Sequence, residues 1–346
     1  MEQGLGHTLG FPGFDSHNSY WTKHNARRPS VLCQMTTINT RSKAKASQRR
    51  VSHILKGHKA FVYSSRFNPK GSLFASASED STVRIWNTNT WECIRTLREH
   101  KYGVVSTAFH PHQAMLASGG IDMTVRVWNL RAGKCMRVLQ GYDECVMSLD
   151  FNPSGTLLAS GCADNTVRIW DTKTWKCVKT LEWGEIAICS VKFNADGTRL
   201  ASGDSEGSLH IWDTRSWDQV ASLDQRTESS VRLIEFHPDK SIMISACAGT
   251  SDNTIRVWST NTWKCLKVLG GHSAGITSLN FHSDGKFMLT GSMDRTVRMW
   301  DTNTWKCVQT LEGFTDTIDA IGNCSTQKTQ ACAIGFSGNN VNVWNM

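Results

Sequence analysis

The sequence predicts an all-β fold in which one four-stranded unit is repeated around a closed ring. The first observation is a recurring tryptophan, at spacings of 42, 42, 42, 46, 42 and 44 residues: Trp86, Trp128, Trp170, Trp212, Trp258, Trp300 and Trp344. The second is that each full unit contains four strand-length runs separated by hairpin-length turns. A period of about 40 to 45 residues with four strands per unit predicts a single seven-bladed β-propeller of antiparallel blades.

The segment 143–184 shows the repeated unit clearly. Two apolar runs, Val146–Phe151 and Leu157–Cys162, are separated by a turn that contains proline and glycine. A β-rich run, Thr166–Asp171, and a last run over 176–181 complete the unit, each after a polar turn. Because each run has the length of a strand and each gap the length of a hairpin turn, the unit predicts one four-stranded blade.

The two ends of the repetitive region predict how the ring closes. Residues 51–55 align with the fourth strand of a unit but follow no first three strands, whereas the chain stops just after the third strand that ends at Trp344. We therefore expect 51–55 to be the outer strand of the last blade and to pair with 340–344. The propeller domain is accordingly predicted over 51–346.

Residues 1–50 lack a periodic apolar pattern and are predicted to form a basic arm, extended or disordered, with glycines and scattered aromatic residues. The arm has a net charge of +6, which leaves +2 for the propeller. This charge favours an acidic surface on a partner. Trp21 is the residue of the arm that we expect to contact a partner.

Five dipeptides carry a resemblance to a known family: Gly57-His58, Gly271-His272, Trp170-Asp171, Trp212-Asp213 and Trp300-Asp301. They resemble the WD-repeat propellers, whose repeats open near Gly-His and close near Trp-Asp. The resemblance covers 51–346, and the variants Trp-Asn and Trp-Ser at other units are ordinary departures from the family pattern. It implies a rigid ring that holds several protein partners.

The resemblance also implies a buried polar network in each complete unit, made of a histidine, a serine or threonine, an aspartate and the tryptophan. Three units contain the full set: His58, Ser76, Asp80 and Trp86; His100, Ser118, Asp122 and Trp128; His272, Thr290, Asp294 and Trp300. A set that recurs in three units is typical of a structural network, whereas a catalytic Ser-His-Asp triad would occur once.

Four units depart from this pattern. The histidine is replaced by Tyr142, Gly184, Thr227 and Phe314, and the aspartate by Glu206 and Gly338. We therefore expect blades four, five and seven to be held more by apolar packing than by the network.

The resemblance places partner-facing positions on the narrow face of the ring, at the start of each first strand and just before the turn aspartate. Blades one to three contribute an apolar and aromatic set: Phe61, Tyr63, Glu79, Val105, Ile121, Cys145 and Met147. The far arc contributes Ser230, Arg232, Met293 and Asp319. Val105 and Cys145 also fit core positions, so the prediction rests on Phe61, Tyr63, Ile121 and Met147.

Twelve cysteines do not predict a disulfide framework or a metal site. Five occupy one equivalent place in the fourth strand, where we expect half-buried side chains: Cys93, Cys135, Cys177, Cys265 and Cys307. Equivalent places on separate blades cannot come within bonding reach, and free thiols fit a reducing compartment. No CxxC pair, nucleophile elbow or phosphate-binding glycine motif stands apart from the repeat, so we expect no catalysis, no cofactor and no metal.

The sequence therefore predicts a non-catalytic interaction scaffold or adaptor subunit of a larger assembly. One alternative is a substrate receptor of a cullin-type ubiquitin ligase, because Trp212-Asp213-Thr214-Arg215 resembles the Trp-Asp-x-Arg signature of such receptors. Another is a cytoskeletal, ciliary or nucleic-acid-associated subunit recruited through the arm, although a charge of +6 without a recognised binding module argues against nucleic acid.

Two features of the sequence bear on location. No apolar run approaches the roughly 18 residues that span a membrane, and no apolar core of a secretory signal is present. We therefore expect an intracellular protein, cytoplasmic or nuclear, without membrane insertion. Glu2 and the glycines of the arm argue against mitochondrial import.

Overall fold

The computed structural model describes residues 51–345 except 183, 226–228, 240, 249–251, 283, 313, 315–316, 327–328 and 337–340, and it leaves out the side chains of 51, 52, 248 and 319–345. The expectations for the arm, including Trp21, lie outside the described residues. Over the described part the chain forms 28 strands, numbered β1 to β28 in chain order.

The first three blades are sheets of four consecutive antiparallel strands. Blade 1 comprises β2 (Val62–Phe67), β3 (Leu73–Ser78), β4 (Val83–Asn87) and β5 (Cys93–Leu97). Blade 2 comprises β6 (Val104–Phe109), β7 (Met115–Gly120), β8 (Val125–Asn129) and β9 (Lys134–Leu139). Blade 3 comprises β10 (Val146–Phe151), β11 (Leu157–Cys162), β12 (Thr166–Asp171) and β13 (Cys177–Glu182).

The next three blades repeat this order. Blade 4 comprises β14 (Ile188–Phe193), β15 (Arg199–Asp204), β16 (Ser208–Asp213) and β17 (Gln219–Asp224). Blade 5 comprises β18 (Ser230–Phe236), β19 (Ile242–Ala248), β20 (Ile255–Ser259) and β21 (Cys265–Leu269). Blade 6 comprises β22 (Ile276–Phe281), β23 (Phe287–Ser292), β24 (Val297–Asp301) and β25 (Cys307–Leu311).

The last four-stranded sheet, here called the closing sheet, joins distant parts of the chain: β26 (Ile318–Thr326), β27 (Thr329–Phe336), β28 (Val341–Asn345) and β1 (Val51–Leu55). In it β1 runs antiparallel to β28, with Val51 opposite Trp344 and Leu55 opposite Val341. The prediction of seven blades is corrected here: six blades are formed by continuous chain and have their side chains described, whereas the closing sheet is described mainly by its backbone pairing. The closing sheet is not a blade of continuous chain, because its outer strand, β1, precedes blade 1 in the sequence.

The apolar core lies between neighbouring sheets. Between blades 2 and 3, for example, Val125 and Val127 pack with Val146, Leu158 and Trp170, all buried. Four further clusters of this kind lie at the successive boundaries between blades 1 and 6. Since each face of a blade is covered by its neighbour, apolar side chains alternate to both faces of the middle strands, which explains their near-continuous burial.

The turn before each fourth strand contains a tryptophan in an unexpected conformation. Trp91, Trp175, Trp217, Trp263 and Trp305 have φ between 55° and 62°, and Gly133 takes the same place in blade 2 with φ of 67°. A left-handed backbone is unfavourable for a bulky residue. The turn hydrogen bond and the packing of the indole offset this: the Trp175 amide donates to the Asp171 carbonyl at 2.7 Å, and the ring packs on the core between blades 2 and 3.

The expectation of half-buried cysteines in the fourth strands was wrong for most of them. Cys93, Cys177, Cys265 and Cys307 are exposed, and only Cys135 is intermediate. Each lies opposite the repeat tryptophan, next to a register shift that inserts one residue into the outer strand. The bulge turns the thiol outward, because the extra residue disturbs the alternation of side chains between the faces.

Candidate interaction surface and buried networks

Blade 1 brings its four expected network residues together. The His58 Nδ1–H donates to Asp80 at 3.0 Å, and Nε2 lies 2.8 Å from the Ser76 hydroxyl, which also accepts the Trp86 indole N–H at 2.9 Å. Burial by itself would raise the pKa of Asp80, but hydrogen bonds from His58 and from the Lys59 amide outweigh it and lower that pKa below the usual value. The carboxylate therefore stays ionised.

Blade 2 repeats the arrangement at shorter distances. His100 lies 2.7 Å from the Ser118 hydroxyl and 2.8 Å from Asp122, and the Trp128 indole donates to Ser118 at 2.7 Å. The pKa of Asp122 is lowered to about 2, because the bonds to His100 and neighbouring donors exceed the opposing effect of burial. The histidine and the serine oxygen are held inside the sheet, with no open space for a substrate at the hydroxyl.

Blade 6 has the same geometry with threonine in place of serine. His272 lies 2.8 Å from both Thr290 and Asp294, and the Trp300 indole donates to Thr290 at 2.9 Å. Burial, opposed by the bond to Asp294, lowers the pKa of His272, so the ring is neutral at pH 7. Three equivalent and buried copies hold the second and third strands and the preceding turn of their blades together.

Blade 3 keeps the network with a tyrosine in place of the histidine. The Tyr142 hydroxyl lies 2.7 Å from Ser160, and the Trp170 indole donates to the same oxygen at 3.1 Å. Asp164, which has lost its histidine, accepts from Arg168 at 2.6 Å, and that guanidinium lies 4.5 Å from the centre of the Tyr142 ring. Burial raises the pKa of Tyr142, so it is neutral and able to donate.

Blade 4 corrects the expectation that apolar packing replaces the network there. His210, on the third strand, donates to Asp204 at 3.1 Å, and both side chains are buried. Asp204 also accepts the amides of Glu206 and Ser208 at 2.9 and 2.8 Å. Glu206 is exposed, so it does not replace the turn aspartate, as the sequence had suggested. Asp204 fulfils that role from two positions earlier.

Blade 5 corrects the same expectation. Arg256 donates to Asp252 at 2.7 Å and to the buried Gln225 at 3.2 Å. The Trp258 indole donates to Ser245 at 2.8 Å. Thr227, the predicted substitute for the histidine, lies outside the described residues. Of the substitutions expected in the last repeat, Phe314 is half-buried, and Gly338 lies outside the described residues.

In blades 3, 4 and 5 the new partner of the aspartate comes from one position, the residue two before the repeat tryptophan. It lies opposite the network serine: Arg84, Arg168, His210 and Arg256 pair in register with Ser76, Ser160, Ser202 and Ser245. Where the histidine is present in blade 1, Arg84 donates to the Gly57 carbonyl at 2.6 Å instead of to the aspartate. The constant spacing from the tryptophan is the sequence signal by which this second partner could have been found.

The narrow-face residues of blade 1 lie together. Phe61 is half-buried, and its carbonyl accepts the amide of Glu79, which is exposed, at 2.9 Å. Tyr63 is half-buried at a register shift between Val62 and Ser64 on the innermost strand. The shift is a bulge, which aims the inserted side chain out of the regular alternation of the strand.

Blade 2 carries the most exposed apolar residues of this face. Ile121 is 43% exposed, and next to it Tyr102 and Met123 are 56% and 37% exposed. Gly103 packs closely between Ile121 and the backbone of blade 1: a Cβ atom at position 103 would lie 3.1 Å from Ile121 Cδ1 and 3.2 Å from the Glu79 Cα. Tyr102, Ile121 and Met123 are called the blade-2 patch below. Tyr102 and Met123 were missed because they lie one or two residues outside the expected positions.

The other narrow-face candidates are more enclosed. Met147 and Arg232 are half-buried, each at the register shift of its first strand. Cys145 is buried, and burial together with the charge of Glu144 raises its pKa to about 12. Met293 is 37% exposed and occupies in blade 6 the turn position that Ile121 has in blade 2.

Val105 and Ser230 are also half-buried, and the side chain of Asp319 lies outside the described residues.

Arg215 lies on the opposite face of the ring. It is in the turn between the third and fourth strands, and in an antiparallel meander this turn lies at the other end from the turn that holds Glu206. Its side chain is exposed, and its amide donates to Asp213 at 2.9 Å. Asp213 also accepts from Arg199 at 2.5 Å, so the two charged residues of the Trp-Asp-Thr-Arg segment are not paired with each other.

A cluster of four charges lies on the inner strands. Lys192 lies 3.2 Å from Asp150 and 3.3 Å from Glu235, and Glu235 accepts from Arg66 at 3.2 Å. The four line a cavity of about 330 Å³, together with the phenylalanines that end the first strands of blades 1 to 3 and the prolines that follow those strands. Burial opposes the charge of Lys192, but the two carboxylates prevail and raise its pKa. The cluster contains two positive and two negative side chains. Its ion pairs connect blades 1, 3, 4 and 5 across the centre of the ring.

The described residues offer neither a candidate metal site nor a candidate membrane-spanning helix. They contain no group of histidine, cysteine and carboxylate side chains placed to hold a metal ion. No helix among them has the length and apolar character needed to cross a membrane.

The chain is similar in sequence to known β-propeller proteins. Residues 72–272 match the model of a β-propeller described as nucleolar protein 10-like, N-terminal domain, and residues 49–87 and 263–301 match the WD domain, G-beta repeat. Transducin beta-like protein 3 of Bos taurus is 42% identical over 60 residues, which is 17% of this chain and 7% of the relative. Pre-mRNA-processing factor 19 of Mus musculus is 32% identical over 71 residues, 20% of this chain and 13% of the relative.

A subunit of a transcription factor is also similar. Transcription initiation factor TFIID subunit 5 of Drosophila melanogaster is 46% identical over 48 residues, 14% of this chain and 7% of the relative. The chain therefore aligns with only a small part of each of these curated relatives.

Proposed function

Because the chain belongs to the WD-repeat β-propeller family, through its match to the nucleolar protein 10-like N-terminal domain, we propose that it is a non-catalytic scaffold subunit of a larger protein assembly. The observation that carries the proposal is the blade-2 patch. Three large apolar side chains are exposed together there, whereas a stable monomer gains nothing from leaving them in water.

The surroundings of the patch support a protein partner. Glu79 is exposed beside Ile121 and supplies a charged rim, while Phe61 and Tyr63 are half-buried on the neighbouring blade. An apolar centre with a polar margin is the usual anatomy of a protein interface. Met147, on blade 3, extends the same arc.

The relatives support the same role in general terms. They include a subunit of a transcription initiation factor and a pre-mRNA-processing factor, and the matching family model is that of a nucleolar protein 10-like domain. We infer a nuclear assembly for this chain on that basis. The buried networks offer no reactive group to a substrate, which favours a scaffold over an enzyme.

The experiment compares Ile121→Glu with Met293→Glu by quantitative affinity purification of the full-length protein from cells. The two residues occupy equivalent turns and are similarly exposed, so each substitution adds one charge on the same face. We expect Ile121→Glu to lose partners that Met293→Glu retains. For a purified partner, the loss of a central contact corresponds to about 1 to 4 kcal/mol of binding free energy.

The fold of both variants is checked by thermal unfolding, where we expect little change because both side chains lie at the surface. If both variants retain every partner of the wild type, the blade-2 patch is not the binding surface and the proposal is contradicted.

A further inference from the structure

The outer edge of the ring carries basic residues at three repeated positions. One lies in the turn between the third and fourth strands, one at or just before the start of the fourth strand, and one within the fourth strand. In blades 2 and 3 all three positions are basic and exposed: Arg131, Lys134 and Arg137; Lys173, Lys176 and Lys179. These six residues are called the basic rim below.

No other described blade has this composition. The same positions contain Asn89, Glu92 and Arg95 in blade 1; Arg215, Asp218 and Ala221 in blade 4; Asn261, Lys264 and Lys267 in blade 5; Asn303, Lys306 and Gln309 in blade 6. Blades 1 and 4 are therefore neutral at these positions, whereas blades 2 and 3 each carry three positive charges. The net charge of the propeller is small, so it does not reveal that positive side chains are concentrated on blades 2 and 3.

The side chains of the basic rim are not held in ion pairs within the described part of the chain. Among the described residues, none of the six has a carboxylate within ion-pair distance. Asp171, the nearest acid in the chain to Lys173, accepts the hydroxyl and the amide of Thr174, both at 2.7 Å. Glu182 is exposed at the far end of β13.

A residue of blade 1 extends the rim. The Arg95 guanidinium donates to its neighbour's carbonyl at 2.9 Å and reaches the Arg131 carbonyl of blade 2 at 3.5 Å. It can lie there because Gly133 replaces the tryptophan of the other blades, and a Cβ at that position would meet the Arg95 side chain at 3.1 Å. The positive surface is thus continuous from blade 1 across blade 2.

We propose that the basic rim binds the sugar-phosphate backbone of a nucleic acid, a role beyond the scaffold function. Protein interfaces are depleted in lysine, and four of the six rim residues are lysines with exposed side chains. Backbone binding instead relies on lysine and arginine spread along a surface, each neutralising a phosphate. The sequence argued against nucleic acid on the charge of the arm and its lack of a module, but the rim lies on the propeller.

The test measures binding of the full-length protein to fluorescent 30-nucleotide RNA and DNA single strands of one mixed sequence by anisotropy. Six phosphate contacts predict an affinity about 300-fold weaker at 200 mM than at 50 mM salt. RNA and DNA bound equally would indicate contacts to the phosphates alone, and tighter binding of RNA would add contacts to the 2′-hydroxyl; both results support the rim.

The decisive variant combines R131N, R137Q, K173N and K179Q, whose new residues are those of equivalent positions in other blades. The control combines R215N, K264Q, K267Q and K306Q, which removes the same charge from blades 4 to 6. We expect the first variant to bind about 10-fold or more weakly, with a salt slope lower by about 3, and the control to lose less than about 3-fold.

Three results would overturn the proposal: no binding by the wild type at 50 mM salt, an equal loss in both variants, or displacement of RNA by polyglutamate of equal charge. An equal loss would assign binding to overall charge or, if neither variant loses affinity, to the arm, which both variants retain. Displacement by polyglutamate would assign the rim to an acidic protein.

Discussion

A single buried carboxylate determines much of the local stability of blade 2. Asp122 accepts from the His100 ring at 2.8 Å and from the Lys101 amide at 3.0 Å. Asp122→Ala leaves the His100 N–H unpaired inside the blade, so we expect a loss of about 1 to 3 kcal/mol in the free energy of unfolding. Glu206→Ala is the control, because Glu206 is exposed and its substitution should change stability by less than about 0.5 kcal/mol. Denaturant unfolding that gave the reverse order would contradict the assignment.

A histidine just after β6 predicts an effect of pH on stability. His110 Nε2–H donates to the Gly155 carbonyl of the next blade at 3.0 Å, and Nδ1 accepts the His112 amide at 3.1 Å, so the fold requires the neutral ring. Burial lowers the pKa of His110 below its usual 6.5. The unfolded chain therefore takes up a proton below about pH 6.5 while the folded chain does not, and stability is lost as the pH falls from there toward the folded pKa.

The variant His110→Asn isolates this effect, since Asn68 and Asn152 occupy the same place in other blades and bind the backbone of their own turns at 2.9 Å. We expect it to be less stable than the wild type by about 1 kcal/mol at pH 7, through the lost bond between blades. Urea unfolding at pH 5 should show a smaller difference, because the asparagine does not titrate. A difference that grows on acidification would mean that the histidine is charged in the folded protein.

The hydrogen bonds of the buried networks could be predicted from the sequence where the spacing between their residues repeats. They could not be predicted where another residue replaces the histidine or the aspartate. The tetrads of blades 1, 2 and 6 have the expected bonds because each member has its own fixed distance from the tryptophan. In blade 4 the histidine comes from the third strand and the aspartate from the end of the second. A one-dimensional alignment matches columns, whereas the sheet only requires that donor and acceptor meet on one face.

At the scale of elements, the closing strand β1 is tied to blade 1 as well as to β28. Leu55 is 3% exposed and packs with Val62, Phe74 and Trp86, whereas its neighbour Ile54 is 53% exposed. We expect Leu55→Ala to lower the free energy of unfolding by about 2 to 5 kcal/mol. Ile54→Ala, on the same strand, should have little effect. Equal melting temperatures for the two variants would show that β1 contributes no core contact.

Strands were easier to predict than the bulges within them. The order of apolar runs and turns indicates where each strand lies, because the alternation of side chains is a property of the chain itself. The register shifts in the first and fourth strands depend on which neighbour the strand meets, so the exposed thiols of Cys93 and Cys177 and the left-handed turn tryptophans did not follow from the sequence.

At the scale of the whole molecule, net charge and its distribution give different expectations. The sum over the propeller suggested a nearly neutral ring, yet basic residues gather on blades 2 and 3 while the opposed charges of Lys192, Asp150, Glu235 and Arg66 cancel at its centre. Most of the exposed apolar residues are spread over the outer strands, whereas Tyr102, Ile121 and Met123 lie together in the blade-2 patch. The repeat predicted the ring, but its binding surfaces arise from the positions where the repeats differ.

During translation, β1 cannot pair with β28 until the ribosome has synthesised almost the whole propeller domain. Leu55 and its partner Val341 are separated by 286 residues, and translation at about 5 to 20 residues per second needs roughly 15 to 60 s to cover them. During that interval the earliest strand has an open edge while blade after blade forms behind it. A nascent chain that terminates early in the last repeat keeps that edge, and so presents to chaperones and proteases a signal that the complete protein conceals.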